Sequence, residues 1–340
     1  MNREPLKRPP TMSDVARLAG VSRTAVSFVL NNHVFSANIP TETKDRILEA
    51  AKKLSYSPNL AAKVLHTNQT HTIGFITDEI ATTPHAVNIT KGAQDFAWAN
   101  GKLLLIVNTG SDTNVTETAI EMMLERQVEG IIYAAWYHRE ATLPANIYER
   151  SAVLLDCFCA NQSLPSVVPN EIQGGQTATE VLLQKGHRRV GFINCLDPVP
   201  ATFGRLEGYK QALQAYDIPF DENLVCSHVS GSRGGYQGTL ELMQLREPPT
   251  AIFCFSDAMA MGAYDALRKL GLSVPDDVAV MGFDNQELIA AQLSPPLSTV
   301  ALPHYEMGKW AVQFLLEHSG ESLPPVQHTI DCPYLERQSV

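Results

Sequence analysis

"VSRTAVSFVLN", residues 21–31, sets Arg23, Thr24 and Ser27 among Val26, Val29 and Leu30, directly after a Gly20-Val21 turn. The apolar positions recur at helical spacing, Ser22 can cap the N-terminus, and Asn31-Asn32 closes the run. Upstream, "TMSDVARLAG" (11–20) opens on Thr11 with Asp14 three residues on, a capping-box arrangement, and stops at Gly20. Downstream, a polar loop with Pro40 precedes "TETKDRILEAAKKLSY" (41–56), whose Ile47, Leu48, Ala51 and Leu54 also fall at helical spacing. Two short helices around a Gly-containing turn make a helix-turn-helix, whose second helix enters the DNA major groove. A plain αα-hairpin is the alternative. Val15, Ala16, Val21, Val26, Val29 and Leu30 can form the small core, which leaves Ser22, Arg23, Thr24, Ser27 and Phe28 outward. Arg can donate two bonds to guanine, Thr offers a hydroxyl and a methyl, and Ser hydroxyls suit phosphates.

Charge supports this division. The net charge of the 340 residues is −10, yet residues 1–66 hold ten Lys/Arg against five Asp/Glu, or +5. The remainder holds 16 basic and 31 acidic residues, or −15. A basic head on an acidic body fits a nucleic-acid module joined to a sensing domain. No signal peptide is expected in "MNREPLKRPP", and no run approaches the ~18 apolar residues of a membrane span. The six cysteines are scattered through apolar runs, which suits reduced core thiols and a cytoplasmic protein.

From residue 71 short apolar runs alternate with helical patterns: "TIGFIT" (72–77), "KLLLIVN" (102–108), "EGIIYAA" (129–135), "AVLLDCF" (152–158), "RVGFIN" (189–194), "NLVCSHV" (223–229), "AIFCF" (251–255) and "DVAVMGF" (277–283). Such β-α-β texture predicts parallel strands buried on both faces, in two doubly wound sheets of four to six strands. "SLPSVVPNEIQGG" (163–175) is the candidate crossing between them. The expected organisation is an all-α head at 1–55, a short Pro-started helical segment and linker at 56–70, and an α/β body at 71–340. Its lobes are expected at about 71–168 plus 301–325, and 172–297 plus 327–340.

The string "SDVARLAGVSRTAVSFVLN…ETKDRILEAAKKLSYSPN", with "YSPNLAAKVL" (56–65) behind it, resembles the lactose/galactose repressor (LacI/GalR) family of bacterial transcriptional regulators. The resemblance continues through "KGHRRVGFI" (185–193), "GRLEGYKQAL" (204–213), "PTAIFCFSDAMAMGAYDALRKLGLSVPDDVAVMGFDN" (249–285) and "PPLSTV" (295–300), covering nearly the whole chain. It implies a periplasmic-binding-protein-like body, with Ser22, Arg23, Thr24, Ser27 and Phe28 on the recognition helix. It also implies Asn59, Ala62 and Leu65 on a hinge helix that enters the minor groove, where a leucine wedge offsets unstacking by bending the DNA. The family commonly has Arg where Phe28 stands, and the loop at 32–40 is longer than in lactose-repressor members. Phe28 suits either a thymine methyl or a seat beneath that loop.

Open parallel sheets bind ligands beyond their strand C-terminal ends, and two lobes enclose a cleft there. Polar residues at those ends are Asp78, Asp156, Asn194, Ser256-Asp257 and Asp284-Asn285, with Arg205 at a helix start. A sugar needs hydroxyl partners such as Asp284 and a fork-shaped Arg205, and an aromatic face such as Trp136 or Tyr137. The resemblance implies that Asp156, Arg205 and Asp284 contact the effector, with Ser256 where many members have Asn. Asp78 is a further candidate, whereas Asp257 is assigned to helix capping. Without a nucleophile elbow, phosphate loop or metal-ligand cluster, no catalysis, cofactor or metal is expected. The expected protein is a homodimeric, sugar-responsive repressor on a pseudo-palindromic DNA operator. A purine-type corepressor regulator and a sugar-binding transport protein are the alternatives. The chain lacks a heptad tail after "YLERQSV", which favours a dimer over a tetramer.

Overall fold

The computed structural model describes residues 8, 10–31, 34–56, 69–80, 83, 86–110, 112–318 and 325–340. Asn59, Ala62 and Leu65, expected on the hinge helix, lie outside the described residues. The chain divides into two units, Met1–Thr70 and His71–Val340.

In the first unit, α1 (Met12–Ala19) ends at Gly20, whose φ of 65° is the left-handed conformation that a helix stop needs. Asp14 accepts from the Thr11 backbone N–H at 2.9 Å and from its hydroxyl at 2.6 Å. Ser22 then caps α2 (Arg23–Leu30), accepting from Ala25 N–H at 3.1 Å. A 3-10 turn (Val34–Asn38) leads to α3 (Thr41–Lys53). Val15, Ala16, Ala19, Val26, Val29, Ile47, Ala50 and Ala51 form the core, with Val21 and Leu30 at its edge. Leu48 is 51% exposed, because Ala50 and Ile47 take the inward face of α3 that helical spacing offered to it.

The second unit is built on two six-stranded sheets. The first contains β1 (Thr72–Thr77), β2 (Leu103–Asn108), β3 (Ile131–Glu140), β4 (Ala152–Phe158), β5 (Ser166–Pro169) and β11 (Gln327–Ile330), in the order β11-β5-β4-β3-β1-β2. The second contains β6 (Val190–Cys195), β7 (Val225–His228), β8 (Ala251–Cys254), β9 (Ala279–Asp284), β10 (Ser298–Ala301) and β12 (Tyr334–Leu335), in the order β12-β10-β9-β8-β6-β7. Every pairing is parallel except that of β10 with β12.

Helices cover both faces of each sheet. In the first lobe α4 (Val87–Ala99) and α11 (His304–Glu317) pack on one face and α5 (Thr113–Glu125) on the other. In the second, α6 (Glu171–Gln184) and α7 (Pro200–Ala215) lie opposite α8 (Ser232–Met243) and α9 (Asp257–Lys269), with a short α10 (Glu287–Ala290) beyond β9. One expected boundary is corrected. Residues 327–330 belong to the first lobe rather than the second, because Gln327–Ile330 extend that sheet beside Ser166–Pro169. The chain thus crosses between lobes around residue 170, at 302–303 and at 331–333.

The α6–α7 contact is close enough to require glycine. A Cβ on Gly175 would lie 2.7 Å from Arg205 Cα, and one on Gly208 would collide with Ile172 O. We predict that Gly208→Ala costs about 1–3 kcal/mol by overpacking. Urea unfolding of the full chain measures it, and an unchanged midpoint would contradict the packing argument.

Candidate functional site

A cavity of about 410 Å³ lies between the lobes, at the C-terminal ends of β3, β4, β6, β8 and β9. Its first-lobe wall comes from an irregularity in β3, whose register against β4 shifts between Ala134 and Arg139. The extra residues re-aim Trp136, Tyr137 and His138 into the cavity, as β-bulges beside binding sites do. Trp136 and Tyr137 meet edge to face, with ring centroids 4.6 Å apart.

Asp78 holds this bulge instead of lining the cavity. Its Oδ1 accepts from the Trp136 backbone N–H at 3.0 Å, and its Oδ2 from Arg139 Nη2 at 2.9 Å, while the residue is fully buried. The expectation that it contacts ligand is therefore replaced by a positioning role. Its strand end points correctly, but the neighbouring strand consumes both carboxylate oxygens.

Trp136, Asp156, Arg205, Ser256 and Asp284 all line the cavity. Asp156, at the end of β4, has a φ of 55° and is almost wholly buried. Its Oδ1 has no hydrogen-bond partner among the described residues, and its Oδ2 is 3.9 Å from His304 Nε2. Burial, and then the neighbouring Glu171 carboxylate, push this carboxyl well above the usual range.

Arg205 projects from α7 into the base of the cleft. Its Nε donates to Glu171 Oε2 at 2.8 Å, and its Nη1 to Phe255 O and, at 3.5 Å, to Asp284 Oδ1. The guanidinium also lies over the rings of Phe283 and Phe255, 3.7 and 4.4 Å from their centroids. Burial raises the Glu171 carboxyl, but Arg205 and His138 more than offset this and hold it below its ordinary value. Asp284 sits on a backbone with φ of 102° and is bonded by Gln286 Nε2 at 3.0 Å.

Ser256, not Asp257, caps α9, accepting from Met259 N–H at 3.2 Å. Asp257 is turned inward, where it accepts from Thr299 Oγ1 at 2.7 Å and Gln286 N–H at 2.6 Å. A Cβ at residue 282 would collide with its Oδ1, so Gly282 makes room for it. Asn194 is likewise structural, bonding Thr202 O and the Cys195 N–H.

Sequence reasoning missed Glu171, His138, Asp197, Phe255 and Gln286, all of which line the cavity. Glu171 had a usable signal: it is a polar residue that opens a helix just after the C-terminal end of a strand. That strand is the four-residue β5, whose Pro169 gives it the sequence texture of a crossing.

In the head, Ser22, Arg23 and Thr24 are exposed, and Ser27 and Phe28 half-buried, along one side of α2. Among the described residues one group could bring metal ligands together, Cys226, His228 and Glu241, with ligand atoms within 4.8 Å of one another. His228 is already hydrogen-bonded to Glu241 at 2.9 Å, and burial pushes the Cys226 thiol up to about 12, which disfavours a thiolate. No helix among the described residues is long and apolar enough to cross a membrane.

Comparisons with known proteins bear on the family and the fold. Residues 11–59 match the model for bacterial regulatory proteins of the lacI family, and residues 179–340 that for a periplasmic binding protein-like domain. A ribose operon repressor of Haemophilus influenzae is 32% identical over 308 residues, covering 90% of this chain and 91% of its own. The HTH-type transcriptional repressor PurR of Vibrio atlanticus is 32% identical over 316 residues, with the same coverage. The crystal structure of the lac repressor dimer bound to operator and the anti-inducer ONPF superposes with a TM-score of 0.77 at 25% identity, covering 98% of this chain and 99% of that one. With a helix-turn-helix head, a two-lobed α/β body and relatives of this identity along nearly its full length, the chain belongs to the lacI family of bacterial regulatory proteins.

Proposed function

We propose that the protein is a homodimeric repressor whose heads bind a pseudo-palindromic DNA operator and whose cleft takes a neutral sugar or glycoside that releases it. The cleft carries the ligand assignment. An aromatic pair, Trp136 and Tyr137, faces a set of hydroxyl partners formed by Asp156, Arg205, Ser256 and Asp284. That combination of apolar face and polar edge suits a polyol ring. Glu171 pairs with Arg205 and Asp156 is driven toward its neutral form, which leaves the Asp197 and Asp284 carboxylates on the wall to repel an anionic ligand. The ribose operon repressor among the relatives, and the lac repressor dimer seen on its operator, support the same reading.

Calorimetry against a panel of neutral sugars, sugar phosphates and nucleobases tests it, repeated with an operator recovered by selection. One neutral sugar is expected to bind and to weaken operator affinity, and operator to weaken sugar affinity by the same factor. Binding of an anion alone, or a ligand that tightens operator binding, would overturn the assignment. Turnover of a bound glycoside, lost in Asp284→Ala, would make the cleft an enzyme site instead. Because the head is basic and the body acidic, operator affinity is also predicted to fall by about 10³-fold or more between 50 and 200 mM salt. A flat salt response would exclude phosphate-driven binding.

A further inference from the structure

Phe28 stands one helical turn after Thr24 on α2, so the two share a side of the helix that also carries Ser27. The structure adds an aromatic neighbour that helical spacing could not supply. Phe35, from the 3-10 turn that follows, lies with its ring centroid 5.8 Å from that of Phe28 and an interplanar angle of 48°. Phe35 is 58% exposed. The pair is thus an apolar spot on the same head as the outward Arg23 and Thr24, in a segment of net charge +5. Two rings are too small a surface for a protein partner, whose stable interface needs about 1,000 Å² or more. In the major groove the apolar group on offer is the thymine 5-methyl.

We propose that Phe28 and Phe35 together read a thymine 5-methyl group, at one position in each operator half-site. This rests on the DNA-binding reading above. A phenyl ring cannot donate to guanine O6 or N7, but it can pack against a methyl group. Phe35 enlarges the surface that meets the methyl and braces Phe28 against swinging away. The 3-10 turn Val34–Asn38 thereby acquires a role in specificity.

The test uses the full chain and an operator recovered by selection. Each thymine is replaced in turn by deoxyuridine, which keeps base pairing and the O4 acceptor and removes only the methyl. At one symmetric position the replacement is expected to weaken binding about three- to tenfold, the range for losing one buried methyl contact per half-site. In Phe35→Ser, a change at an exposed side chain, and in Phe28→Ser, that discrimination should shrink to below about twofold at the same position and nowhere else. Uniform tolerance of deoxyuridine by the unmodified protein would overturn the proposal, as would a sensitive position indifferent to both variants. A selection that returns no preferred sequence would instead overturn the DNA-binding reading, and this proposal with it.

Discussion

Arg205→Ala is expected to destabilise the body by about 3–5 kcal/mol, because it leaves Glu171 as a buried charge without its cation. Both side chains are almost wholly buried, and the guanidinium also packs on Phe283 and Phe255. Urea unfolding measures this loss. The same variant should lose ligand-triggered release from operator, but an unstable cleft would lose it for trivial reasons. The pair Arg205→Met with Glu171→Gln removes both charges while keeping volume, and is expected to recover most of the stability. It should not recover the ligand response, since the fork that reaches toward Asp284 is gone. A response retained in that stable double variant would remove Arg205 from the binding machinery.

The second large effect concerns pH. Burial, and then the nearby Asp284 carboxylate, push Asp257 up to about 8 in spite of its hydrogen bonds from Thr299 and Gln286. The folded chain therefore holds a proton that the unfolded chain, with an ordinary aspartate value near 3.8, has released. Protons favour the folded state: this contribution is full below the unfolded value and is lost as pH rises to about 8. Stability should fall across that window with a slope of up to about 1.4 kcal/mol per pH unit from this one group. Asp257→Asn can still accept from Gln286 N–H and can donate to Thr299 Oγ1, and it carries no ionisation. The variant should therefore match the unmodified protein near pH 4 and exceed it in stability by a few kcal/mol at pH 8. Urea midpoints at several pH values decide this, since all other titrating groups are common to both proteins. A difference that does not change with pH would refute the assignment.

What was legible in the sequence was local. The caps at Thr11 and Ser22, the stop at Gly20 and the eight longer apolar runs are each encoded within about ten residues, by spacings that fix which face is apolar. Asp284 and Arg205 were legible as polar residues near strand ends, and the family resemblance implies the same two. Four strands were not found: β5, β10, β11 and β12. All have four residues or fewer, and all adjoin crossings between lobes. They become strands through pairing across the crossings, as Gln327–Ile330 do beside Ser166–Pro169.

The sequence by itself determined the family, the helix-turn-helix and the two-lobed α/β body, because periodicity, caps and ordered motifs belong to neighbouring residues. Tertiary structure alone decided which carboxylates face the cleft and which are spent inside the wall. Asp78 and Asp284 both follow strands, yet one is used up by Arg139 and a bulge in β3, while the other lines the cavity. Glu171 entered the site through Arg205, 34 residues away, and Phe28 gained Phe35 across a loop. The physical reason is the same in each case. A charged or aromatic side chain takes its role from the partner that meets its hydrogen bonds or covers its surface, and that partner is chosen by the fold.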